Sequence, residues 1–262
     1  MKTNYDTLNV TRDDRGVVFL ELARPDKRNA LSAQMIAELT EFATTCPSDG
    51  SVRAIVLSGQ GDIFCAGGDL AWMHEQIKAD RPQRMTEARK LAKMLQALNE
   101  IPSPMIGRVH GAAYGGGIGM CCVCDVVIAD DQTKFGLTET KLGIIPATIS
   151  PYVVARMGEG NARQVFMNAR IFGADDALRL NIISRKVATQ DMDHAIAQEI
   201  EPYLHTAPQA AAASKALVRS LGPRIDDDVI DATITCLADI WEGEEAVHGI
   251  GSFLNKTKPR WA

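Results

Sequence analysis

Three consecutive glycines, Gly115-Gly116-Gly117, stand between the small residues Ala112-Ala113 and the apolar run from Ile118 to Val123. Without Cβ atoms, such a turn lets main chain approach a ligand closely, and where it opens a helix it aims unpaired N–H groups at that ligand. A second turn of the same kind lies upstream in Ile63-Phe64-Cys65-Ala66-Gly67-Gly68-Asp69-Leu70, again ahead of a helix. Two backbone donors could therefore face one carbonyl oxygen and hold the charge that develops on it.

The 262 residues, 46% of them hydrophobic, suffice for one large core with a helical appendage. The net charge of −5 comes from interspersed acids and bases, so no basic stripe points to nucleic acid as a partner. Behind Met1-Lys2-Thr3 there is no apolar leader, and no run approaches the ~20 apolar residues of a membrane span. A soluble, cytoplasmic protein is expected. Cys46, Cys65, Cys121, Cys122, Cys124 and Cys236 lie mostly among apolar neighbours and read as free thiols. Cys122-Val123-Cys124 lacks a second cysteine pair or a nearby histidine, and the five histidines are scattered, so no metal site is expected.

Hydrophobic patterning predicts alternating strands and helices from Leu8 to about Ile128, an α/β arrangement. Val17–Leu22, Ala54–Ser58 and Met105–Val109 read as strands, the last pointing at the glycine turn. Ser32 reads as the cap of a helix reaching Ala43, and Arg89–Asn99 as a second helix ended by Pro102 and Pro104. Past Pro146 the pattern is mainly helical, with segments at Asn161–Ala169, Ala174–Leu180, Met192–Leu204, Pro208–Leu221 and Ile230–Trp241.

The two glycine turns, together with Phe135-Gly136-Leu137-Thr138-Glu139, resemble the crotonase, or enoyl-CoA hydratase/isomerase, family nearly end to end. The resemblance implies a crotonase fold: a spiral of ββα units over residues 1–200, then a C-terminal helical region, 201–262, that packs subunits into trimers or hexamers. It implies that Gly68 and Gly116 each give an N–H to the thioester oxygen of an acyl-CoA, and that Glu139 serves as acid/base. Family hydratases carry another glutamate two places after the glycine triplet; here that position is Gly119. Coenzyme A would be part of the substrate, with no separate cofactor.

The same resemblance implies CoA contacts from Lys27, Arg28 and Ala30 in an early loop, from Ala66, Asp69 and Leu70 beside the first turn, and from Phe253 and Lys256 in a tail. Leu70, Trp72 and Met73, with the segment Ile145–Pro151, would set acyl specificity. Ala-Gly-Gly-Asp-Leu-Ala-Trp-Met and Lys-Leu-Gly-Ile-Ile-Pro-Ala-Thr-Ile-Ser-Pro look like segments of bacterial methylglutaconyl-CoA hydratases, implying a branched, carboxylated enoyl-CoA. Lys141, Thr148 or Ser150 would then meet the far carboxylate. The reaction expected is hydration of the 2,3 double bond. The lone Glu139 equally suits an isomerase, and Gly119 leaves room for a non-catalytic acyl-CoA binder; the gap at Gly119 could be filled by water, by a substrate group, or by Glu139 performing both proton transfers.

Overall fold

A computed structural model describes residues 2–262. Six strands form the main sheet in the order β1 (Leu8–Arg12), β2 (Val17–Leu22), β3 (Ala54–Gly59), β4 (Met105–Val109), β6 (Val126–Asp130) and β9 (Arg185–Val187). β1 and β2 make an antiparallel hairpin, and every later neighbour in this sheet is parallel. Three short strands, β5 (Ala112–Tyr114), β7 (Lys134–Gly136) and β8 (Phe172–Gly173), form a second sheet.

The parallel strands are apolar on both faces because both are covered by helices. Val18, Leu20, Leu22, Ile55 and Leu57 enter the large core with α1 (Ala33–Thr45), α3 (Arg81–Glu100) and α4 (Gly116–Val123). Val17, Ala54, Val56, Ile106 and Ile128 point the other way, onto Met192, Ala195, Ile196 and Ile200 of α8 (Met192–Leu204).

Helix starts follow capping chemistry. Ser32 Oγ accepts from the Met35 amide at 3.2 Å and opens α1, as expected. α3 starts at Arg81, eight residues before the expected Arg89, because the Asp80 carboxylate caps the Gln83 amide and Pro82 suits the first turn. Its fully buried residues begin only at Ala88, so periodicity alone starts the helix late. From α5 (Ser150–Met157) onward the chain is mostly helical: α6 (Glu159–Phe166), α7 (Ala174–Arg179), α8, α9 (Pro208–Leu221), α10 (Asp227–Trp241) and α11 (Glu244–Leu254). α10 lies across α3, held by Arg81 to Asp239 and Glu242, Arg89 to Asp231 and Lys93 to Asp227. No helix among the described residues is long and apolar enough to cross a membrane.

Candidate active site

The two glycine turns are joined by main chain. Phe64 N donates to His110 O at 2.9 Å, Cys65 N to Ala112 O at 3.1 Å, and Tyr114 N to Cys65 O at 3.0 Å. His110 adds a 2.8 Å contact from its ring to the Gly61 carbonyl, tying the loops together as its position beside the turn suggests. The turns consequently touch: a methyl group on Gly67 would sit 3.0 Å from Tyr114 O and 3.8 Å from Gly116 N. Gly67, at φ +92°, and Gly115, at φ +48°, occupy backbone conformations that side chains resist.

This arrangement leaves two donors unspent. Among the described residues, neither Gly68 N nor Gly116 N donates to a backbone carbonyl or side chain, whereas neighbouring amides do: Leu31 N bonds Gly67 O, Asp69 N bonds Leu31 O, and Gly115 N bonds Gly136 O. Gly116 opens α4, so its free N–H is the positive end of that helix. Gly68 is exposed and Gly116 half-buried. Two free amides from abutting turns can hold one oxyanion.

Glu139 opens a 3-10 turn (Glu139–Leu142) after β7. Its carboxylate approaches the second turn so closely that a methyl on Gly115 would lie 2.7 Å from Oε1. Although part of the residue is accessible, Oε2 is sealed from solvent and unpartnered, and no cation pairs with it among the described residues. Burial pushes the carboxyl up to about 7. A carboxyl poised there exchanges protons near neutrality, as general acid–base work requires. An ion pair with Lys141, the ordinary fate of such a residue, is not formed.

Gly119 lies in α4 and faces hydrocarbon. A Cβ there would be 2.6 Å from Ile149 Cγ2, 3.0 Å from Ile149 Cβ and 3.7 Å from Leu95 Cδ1. The first carbon of any side chain at this position is met by Ile149, immediately before α5. Nothing in the local sequence announces this, because Ile149 is thirty residues away.

The loop before α1 is stitched onto the first turn. Ala66 N donates to Arg28 O at 3.0 Å, and Arg28 and Asn29 are left-handed at φ 51° and 52°. Buried Asn29 secures that shape by donating to Gln60 O and Ile63 O at 2.8 and 2.9 Å. Lys27 and Arg28 are exposed and Ala30 is buried. Asp69 is engaged within the protein: one oxygen caps Ala71 N and Trp72 N of α2 (Leu70–Lys78), and the other pairs with Arg24 at 2.9 Å. Both are spent on the turn, and Arg24 is the partner that sequence reasoning missed. Leu70 is exposed beyond this cap. Phe253 and Lys256, at the end of α11, are exposed, and no side-chain hydrogen bond or ion pair brings them to the glycine turns among the described residues.

The four cysteines 65, 121, 122 and 124 are buried thiols, and burial pushes Cys122 and Cys124 up to about 12. No cluster of three metal-ligating side chains occurs among the described residues.

Comparison with known proteins places the chain. The sequence model of the family described as "Enoyl-CoA hydratase/isomerase" matches residues 12–262. A crystal structure of an enoyl-CoA hydratase from Shewanella pealeana is 37% identical with TM-score 0.80, covering 98% of this chain and 97% of that one. Pseudomonas aeruginosa AtuE is 36% identical with TM-score 0.81, covering 98% of this chain and all of its own. Among curated proteins, the enoyl-CoA hydratase AKT6-1 of Alternaria alternata is 31% identical over 255 residues, 94% of this chain and 81% of the relative. A spiral of strands and helices carrying two abutting glycine turns, matched over nearly its whole length, makes this chain a member of the enoyl-CoA hydratase/isomerase, or crotonase, family.

Proposed function

We propose that the protein hydrates 2-enoyl-CoA thioesters with a single carboxylate. The thioester oxygen accepts from Gly68 N–H and Gly116 N–H. Glu139 takes a proton from water as its oxygen bonds C3, the π electrons move onto the thioester oxygen as an enolate, and the enolate C2 recovers that proton from Glu139 as the carbonyl reforms. Water is added and Glu139 is regenerated. The observation that carries this reading is the unpartnered Glu139 carboxyl, lying against Gly115 and one residue from the free amide of Gly116. Crowding of the Gly119 position by Ile149 supports both transfers passing through Glu139.

The substrate is a branched enoyl-CoA of the 3-methylglutaconyl-CoA kind, a reading that rests on the resemblance of the segments around Trp72 and Ile149. Exposed Lys27 and Arg28 suit the phosphates of CoA, with Phe253 and Lys256 supplied across subunits. The protein works in the cytoplasm as a trimer or hexamer, which suits α9, a helix with no buried residue that exposes Leu217, Val218 and Leu221.

The deciding experiment is turnover in heavy-oxygen water with crotonyl-CoA, 3-methylcrotonyl-CoA, 3-methylglutaconyl-CoA and a 3-enoyl-CoA. Labelled 3-hydroxyacyl-CoA from wild type and none from Glu139→Gln is expected. Double-bond migration without label would replace hydration by isomerisation, a reaction that one closed-in base also serves. Binding of all four without turnover would leave a carrier of acyl-CoA.

A further inference from the structure

A second polar cluster lies beyond the glycine turns, between α2, α3 and α10. There a pocket is lined by Trp72, Gln76, Arg84, Met85, Ile234 and Trp241 among others. It is mostly hydrocarbon, yet it carries polar atoms with nothing to bond. Trp72 Nε1 and Gln76 Oε1 are both sealed from solvent and unpartnered, and Gln76 is only 4% exposed. A buried polar group left so forfeits roughly 1–3 kcal/mol, which a bound partner would restore. The amide of Gln76 can present either end to such a partner, since oxygen and nitrogen exchange by a half turn.

Arg84 gives the pocket its charge. The other cations of α3 each face an acid: Arg81 with Asp239 and Glu242, Arg89 with Asp231, Lys90 with Glu87, Lys93 with Asp227. Arg84 forms no ion pair among the described residues. Its Nε donates to the Gln76 carbonyl at 3.0 Å, which anchors the guanidinium against α2 and leaves its terminal nitrogens unengaged. Three groups of matched chemistry, an indole N–H, an amide and a fixed guanidinium, thus line one apolar pocket, the combination that recognises a carboxylate.

The pocket adjoins the first turn. Gly68 lies 3.8 Å, measured from where its Cβ would be, from Met73, and Met73 packs with Trp72 and Trp241 and with Leu142 and Ile144 on the Glu139 side. Met73 thus stands between the Gly68 turn and the pocket, and an acyl chain held at Gly68 N–H would have to run past Met73 to reach it. We propose that Arg84, Trp72 and Gln76 form the subsite for a carboxylate at the far end of the acyl group, so that the preferred thioesters are those of dicarboxylic acids. This rests on the acyl-CoA reading above. Among the expected holders of that carboxylate, Ser150 Oγ is committed to Ala147 O at 2.7 Å, Thr148 is buried, and Lys141 is exposed on the 3-10 turn; the proposal assigns the role to Arg84, Trp72 and Gln76 instead.

Binding of unreactive saturated thioesters, followed by tryptophan fluorescence or calorimetry, tests the subsite apart from catalysis. Glutaryl-CoA and adipyl-CoA are compared with pentanoyl-CoA and hexanoyl-CoA, matched in length but lacking the carboxylate. Wild type should favour the carboxylated member of a pair roughly tenfold or more, and Arg84→Met should erase that ratio. Trp72→Phe, which removes the N–H together with the five-membered part of the indole and keeps an apolar aromatic ring, should lower the ratio several-fold and guards against a folding defect in the first variant. Equal binding of both members by wild type, or an unchanged ratio in both variants, overturns the subsite while hydration of crotonyl-CoA still stands. Failure to bind any thioester or hydrate crotonyl-CoA overturns the acyl-CoA reading and the subsite with it.

Discussion

Glu139 and Gly119 mark two positions near one glycine turn, and the fold treats them oppositely. At Glu139 it buries a carboxyl without a partner, an arrangement that costs free energy whenever the group is charged. At Gly119 it sets Ile149 and Leu95 against the point from which a side chain would start. A glutamate lost by simple substitution would leave a hole lined by the old surroundings. Here the surroundings are packed hydrocarbon, so the single carboxylate belongs to the architecture of the core.

Removing Glu139 breaks the contrast outright. Glu139→Gln should lower kcat by roughly 10²–10⁴-fold with the fold intact by circular dichroism, the usual worth of a general acid–base group. Turnover within threefold of wild type would move the proton transfers elsewhere. Gly116→Val comes next: its side chain runs into Leu31, whose Cδ1 lies 2.7 Å from even a first carbon, and twists the free amide away. A loss of about 10²-fold in kcat or more is expected, the worth of one oxyanion donor.

Titration sharpens the comparison. Glu139 must be ionised to take a proton, so kcat/KM should rise with pH and level off above about 7, with no falling limb from a second carboxyl. Stability should run the other way. A carboxyl whose folded value is raised binds a proton in the native state that the unfolded chain has released, so stability is highest below the ordinary carboxylate range and falls as pH rises to about 7. Glu139→Gln should accordingly exceed wild type by up to about 3 kcal/mol at pH 8 and lose that advantage near pH 4, by urea denaturation. A constant difference across this range would contradict the buried carboxyl. At Gly119 the expected effect is smallest and of opposite sign: Gly119→Glu should destabilise by about 1–3 kcal/mol through overpacking, and pairing it with Ile149→Ala should recover part of that loss.

What the sequence disclosed depended on how far apart the deciding residues lie. Ser32, Asp69 and the glycine triplet act on amides a few positions away, so the start of α1, the first turn and the opening of α4 were legible. Strand β2 reads from its own six residues. The second sheet does not, since strands of two and three residues have no period to detect. The start of α3 was misplaced because its first turn, stabilised by Asp80, buries nothing. In the site, Glu139 was legible as a motif, but its raised proton affinity depends on what surrounds it in space. Ile149 against Gly119, Arg24 against Asp69, and Arg84 among acid-paired neighbours are all meetings of distant segments that no local pattern records.

The ladder that joins Phe64 and Cys65 to His110, Ala112 and Tyr114 holds the turns that carry the two free amides together chiefly through main-chain bonds. Most single substitutions in this chain therefore leave the pair of donors standing and alter the walls around it. Such a molecule is easier to redirect than to silence: variation at Ile149, Arg84 or Trp72 changes which acyl group is held and what happens to its enolate, while polarisation of the thioester persists as the common starting point for whatever chemistry its descendants acquire.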